Sequence, residues 1–169
     1  MTAPWTPIQS VLQKNPALIT KIQRLFCMGG AFTQGNIFPE VLGGLKRPFA
    51  EWKIFWDPKA VSWILKHTAK IRDITFVPAE ACEQAKITED LLAQLEKQSH
   101  HSRLSKLAYE IYKIAVAEPI LLWNTVTAIC LLHTDLYDTR KTKVKVITNM
   151  TSKRGSPSRD ENQRYRKFL

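Results

Sequence analysis
Two short apolar runs, RLFCM (24–28) and DITFVP (73–78), narrow the possible folds of this chain most. The first is closed by Gly29-Gly30, the pattern of a buried strand, and the second reads as another strand. Helix signals surround them. Thr6-Pro7 places proline at a first helical position ahead of IQSVLQK, and Asn15-Pro16 repeats that signal ahead of ALITKIQ. Asp57-Pro58 predicts a helix through roughly Lys66 with Val61, Ile64 and Leu65 facing inward. Thr88 with Asp90 opens one running through Leu95. SRLSKLAYEIYKIAV (102–116) carries apolar residues at helical spacing, and VKVIT (144–148) can form a late strand. Strands separated by helices predict an α/β fold with a mostly parallel sheet flanked by helices. Ligands of such sheets gather beyond the carboxyl ends of the strands, so the loops after Met28 and before Thr125 are the candidate sites.

With 169 residues, 44% of them hydrophobic, the chain can bury the core of one domain. No run reaches the roughly 18 apolar residues of a membrane span, and MTAPWTPIQS lacks the order of a secretory signal. Cys27, Cys82 and Cys130 stand singly in apolar surroundings, without metal or CxxC spacing. They read as free buried thiols of a cytoplasmic protein. The net charge of +10 is concentrated late: Arg140 to Leu169 holds ten Lys and Arg against two acids. A domain over 1–150 and a basic, flexible, solvated tail over 151–169 are therefore expected. A nucleic-acid contact is the weaker reading, because no zinc-finger, helix-turn-helix or RNP-like pattern accompanies the charge.

Three segments carry chemistry: CMGGAFTQGNIFPE, AEWKIFWDPKA and PILLWNTVTAI. Asn36 offers a donor and an acceptor and Glu51 two acceptor oxygens, a pair suited to the vicinal hydroxyls of a sugar, although a glycine-rich stretch with Asn and Glu also reads as a plain turn and Trp123 as a core aromatic. Asn124, just after Trp123, reads either as the N-cap of a helix or as the border of a binding site.

Taken in order, MGGAFTQGN, AEWKIFWDP and LLWNTVTA resemble the nucleoside hydrolase family, and within it most closely the purine-preferring (inosine–adenosine–guanosine) branch. The resemblance begins near Pro4-Trp5-Thr6 and runs to about TSKRGSPSRD, most of this chain but only the C-terminal half of a family member. It implies a partial nucleoside hydrolase-like fold lacking the N-terminal strands, and hydrolysis of purine nucleosides to base and ribose. Position by position, it implies that Thr6 supplies a backbone carbonyl to the family's calcium ion and that Asn36 and Glu51 hold the ribose hydroxyls. Trp123 would stack on the purine, and Met28, which opens MGG, belongs to the same substrate set.

The departures are specific. The family's aspartate cluster, D-x-D-x-x-x-D-D, which binds calcium and supplies the general base, has no counterpart here. Lys53 replaces an asparagine that contacts the sugar, and Asn124 replaces a calcium-ligating aspartate. Calcium needs several oxygen ligands with carboxylate countercharge, and cleavage through an oxocarbenium-like state needs an activated water. The expectation is therefore a substrate-binding set of Met28, Asn36, Glu51, Lys53 and Trp123, a degenerate metal set of Thr6 and Asn124, and no intact catalytic set. Calcium is expected not to bind, and the isolated chain is expected to be inactive. The alternative is a non-catalytic remnant or nucleoside-binding module. Expected partners are a purine nucleoside or ribose and a complementary N-terminal fragment or a second copy, with no membrane.

Overall fold
The computed structural model describes residues 1–44, 49–67, 71, 73–117, 121–148, 157–158 and 165–168. Helices α1 (Thr6–Lys14), α2 (Trp52–Trp56) and α3 (Pro58–His67) alternate with strands β1 (Arg24–Met28) and β2 (Asp73–Val77). Then come α4 (Glu89–Ser99), α5 (Arg103–Ala115) and α6 (Trp123–Leu132), followed by β3 (Arg140–Lys143), β4 (Lys145–Val146), β5 (Pro157–Ser158) and β6 (Tyr165–Phe168). Among the described residues one sheet has the order β1-β2-β6-β3. β1 runs parallel to β2 from Arg24 opposite Asp73 to Met28 opposite Val77. β2 is parallel to β6, and β3 closes the edge antiparallel to β6. Along the outer edge of β1, Met1 makes both bonds of a parallel pairing: its amino group donates to the Phe26 carbonyl and its own carbonyl accepts from Met28 N (2.9 Å).

Both expected strands form where the apolar runs stand, because the sheet is buried on both faces and every second residue serves a different core. Leu25, Cys27, Ile74 and Phe76 point to one side, where Trp5, Leu12, Ile54, Val61 and Ile64 pack. Trp5 stacks on Phe76 with ring centroids 5.7 Å apart. Phe26 and Val77 point to the other side, against Cys82, Cys130 and Trp123. All three cysteines are free and buried, and burial pushes the Cys27 and Cys82 thiols up to about 12.

Several sequence expectations change. Pro16–Lys21 is a 3₁₀ turn, not an α-helix: Ile19 is its buried residue and Ile22 is already extended. α4 runs to Ser99, beyond Leu95, with the Thr88 hydroxyl capping Leu91 N (3.2 Å). α5 forms as expected, yet none of its residues is buried: Leu104 and Ile114 are 79% and 81% exposed. It packs on α4, and no other described element makes a substantial contact with it. Of VKVIT only Lys145–Val146 is a strand, paired with β5. The expected boundary after residue 150 lies outside the described residues. Within the expected basic tail, Tyr165–Phe168 is a strand paired on both sides, with β2 and with β3.

Candidate functional site
The loops beyond the carboxyl ends of β1 and β2 are joined at their roots. Gly29 N donates to Val77 O (3.0 Å), and Ala79 N donates to Gly30 O (2.9 Å). Gly30 takes φ 94°, in the left-handed region that glycine occupies without strain. Farther along, Gly35 lies so close to Ala50 that an added Cβ would fall 2.1 Å from its carbonyl oxygen. This approach brings Asn36 N to Ala50 O (3.1 Å), and Asn36 Oδ1 accepts from Trp52 N (2.7 Å) at the start of α2.

Asn36 and Trp123 line one cavity of about 490 Å³, within the range of small-molecule sites. Its walls come from the β1 loop (Gln34, Gly35, Phe38), from the segment after β2 (Ala79, Glu83, Lys86) and from Leu121. Trp123 is the first residue of α6, and its indole Nε1 is buried without a hydrogen-bond partner.

Met28, Glu51 and Lys53 gather apart from those walls, in a buried cluster at the end of β1. Glu51 is 0% exposed and caps α2, its Oε2 accepting from Ile54 N (3.1 Å). Its Oε1 has no hydrogen-bond partner and stands 3.9 Å from Lys53 Nζ, which is 2.9 Å from Met28 Sδ. Burial, the larger effect, pushes the Glu51 carboxyl above its ordinary value, although the Lys53 charge and backbone N–H groups oppose it. Burial likewise pulls the Lys53 ammonium below its ordinary value against the opposing effect of Glu51.

Thr6 and Asn124 stand in the first turns of different helices, α1 and α6. The Thr6 hydroxyl donates to Asp57 Oδ2 (2.5 Å), whose other oxygen accepts from Ala60 N (3.0 Å) to cap α3. Asn124 is exposed as the second residue of α6. The N-cap is Leu122, with no side-chain bond, so the capping reading of Asn124 is corrected by two positions. Among the described residues no three His, Cys, Asp or Glu side chains gather to hold a metal. A backbone carbonyl from Thr6 and a neutral amide from Asn124 bring no carboxylate countercharge, so these two residues alone do not make the oxygen set that calcium needs. The residues present do not fit the ion.

Sequence reading missed Glu80. Its Oε1 accepts from Phe32 N and Thr33 N (2.6 Å each), from Gln34 N and from Thr33 Oγ1 (3.1 Å each). Partial burial would raise its pKa, but the backbone bonds outweigh that and hold the carboxyl below its ordinary value. The one sign in the sequence is its place just beyond the carboxyl end of the second apolar run.

The architecture and the sequence converge on one class. Residues 1–167 match the family model for inosine-uridine preferring nucleoside hydrolases, and the chain belongs to that family. It is similar to the solved inosine-uridine preferring nucleoside hydrolase from Bacillus anthracis (25% identity, TM-score 0.80), covering 99% of this chain and 52% of that one. An inosine-guanosine nucleoside hydrolase (16% identity, TM-score 0.77) and a purine-preferring ribonucleoside hydrolase from Gardnerella vaginalis (19%, 0.73) share the fold. Each is also covered over about half its length, 55% and 53%, by 99% of this chain. No curated protein matches the sequence. No helix among the described residues is long and apolar enough to cross a membrane.

Proposed function
We propose that this chain binds a purine nucleoside in the cavity between the β1 loop and the start of α6, and that alone it does not hydrolyse it. The observation that carries the reading is the meeting of Asn36 and Trp123 in one cavity. They come from loops far apart in sequence, and the family resemblance assigns one to the ribose and the other to the base. The Trp123 ring offers a stacking face beside apolar Phe38 and Leu121, and Asn36 and Gln34 offer amides to hydroxyls.

Cleavage needs an activated water and help for the leaving base. Glu51 is fully buried and off the cavity wall, and neither Thr6 nor Asn124 brings a carboxylate. The chain spans about half the length of its solved relatives. We therefore assign the metal and the general base to a complementary N-terminal fragment; a second copy of this chain is a separate candidate partner, which would bring no aspartate cluster. Three free buried thiols favour a reducing, cytoplasmic setting. Inosine titrated into the protein should change tryptophan emission in a saturable way that Trp123→Phe abolishes, with no hypoxanthine released. Emission unchanged by millimolar inosine would refute binding, and release of hypoxanthine tracking the purified chain would refute the assignment of catalysis.

A further inference from the structure
We infer that Glu80 is a positioning residue for this cavity, clamping the β1 loop that carries Gln34, Gly35 and Asn36 to the turn that follows β2. Three successive amides, of Phe32, Thr33 and Gln34, converge on its Oε1, and the Thr33 hydroxyl adds a fourth bond. Consecutive N–H groups aimed at one point form a concavity that suits an anion. Here the protein supplies that anion itself. No helix or strand covers the chain between Met28 and Pro39, so these donors depend on a distant acceptor for pairing.

The placement makes the clamp a feature of the cavity. Glu80 lies on the 3₁₀ turn Ala79–Cys82, and its neighbours Ala79 and Glu83 line the cavity that Gln34, Gly35 and Asn36 line from the other side. The bonds of Gly29 and Ala79 hold the root of the loop, and the contacts of Gly35 and Asn36 with Ala50 and Trp52 hold its far end. Glu80 fixes the stretch between, so one carboxylate adds to the bonds that set the spacing of the two walls. Bonds from N–H groups to a carboxylate are roughly twice as strong as neutral ones, so the charge matters as well as the oxygen.

Only the ligand chosen for the test rests on the nucleoside reading; the clamp is measured separately. Amide hydrogen exchange at Phe32, Thr33 and Gln34 should accelerate by about tenfold or more in Glu80→Ala, and by less in Glu80→Gln, which keeps an acceptor oxygen. Inosine affinity should fall in the same order, whereas Thr33→Ala, which removes only the hydroxyl bond, should stay within about twofold of wild type. Should Glu80→Ala fail to fold, Glu80→Gln carries the comparison. Unchanged protection of the three amides would overturn the clamp. So would inosine affinity in the alanine variant equal to that of a wild type that binds. A wild type that binds no inosine removes the nucleoside reading, and the exchange comparison still decides the clamp.

Discussion
The ammonium of Lys53 lies 2.9 Å from the thioether sulfur of Met28, a weak acceptor for a charge that is only 8% exposed. Its carboxylate partner, Glu51, stands 3.9 Å away, too far for a direct hydrogen bond. A buried charge with poor partners costs stability, and removing one member of a pair leaves the other worse off. Lys53→Met and Glu51→Gln should therefore couple. The double variant should be more stable than the sum of the single effects, by about 0.5–3 kcal/mol. Denaturant unfolding of the four proteins measures this, and strict additivity would contradict it.

The acids predict opposite pH responses. Glu51 is raised from 4.5 by burial, so its contribution is complete below 4.5 and is lost as pH rises through its folded value. Lys53 is lowered from 10.5 by burial, so its contribution is complete above 10.5 and is lost as pH falls through its folded value. Glu80 is lowered from 4.5: burial alone would raise it, and the bonds from Thr33, Gln34 and Phe32 prevail. Its contribution is present above 4.5 and is lost as pH falls through its folded value. Across a pH series of urea midpoints, Glu51→Gln should flatten the decline above 4.5 and Glu80→Gln the decline below it. Midpoints of each variant that run parallel to wild type in its window would contradict the assignment.

Asn124 gives a prediction that separates helix electrostatics from metal chemistry. α6 has no acid in its first turn, and Asn124 is exposed there. Asn124→Asp should stabilise the protein slightly, by about 0.3–1 kcal/mol at low salt, because a negative charge favours a helix N-terminus. The gain should be the same with calcium or with a chelator. A calcium-dependent rise in Tm, reversed by chelation, would show that the aspartate completes a metal site.

Local signals were legible where a residue's own neighbours decide its structure. RLFCM and DITFV form strands because the sheet they build is buried on both faces, and Thr88 caps α4 through its own hydroxyl. Arg140–Lys143 escaped because RKTK has no apolar residue to mark a strand. The apolar stripe of α5 was read correctly as amphipathic, but whether a face is covered depends on what else packs there. Asn124 looked like a cap because its type favours that role, and the helix begins instead at Trp123. At the site, Asn36 was marked by its own donor and acceptor and Trp123 by motif resemblance, and their meeting is a matter of topology. Glu80 was marked only by its place after the second apolar run, since its partners lie 46 to 48 residues earlier and three of the four are backbone amides, which carry no mark in a sequence.

The last prediction concerns the end of the chain. Composition alone treats KRGSPSRDENQRYRKFL as solvated, and a solvated segment is removed without cost. Tyr165–Phe168 is instead the strand between β2 and β3, with register pairs from Thr75 opposite Lys167 on one side to Lys143 opposite Tyr165 on the other. Ending the chain after Arg164 removes that strand. β2 then gains an open edge, and β3 loses the one strand it pairs with among the described residues. Each backbone hydrogen bond lost costs about 0.5–1.5 kcal/mol net, and the new edge is free to pair with other chains. The truncated protein should therefore unfold at clearly lower denaturant and self-associate at concentrations where the full chain does not. Ending it after Leu169 with added residues should do neither. Equilibrium unfolding with light scattering tests both, and a truncated chain as stable and as dispersed as the full one would show that β6 contributes nothing to the sheet.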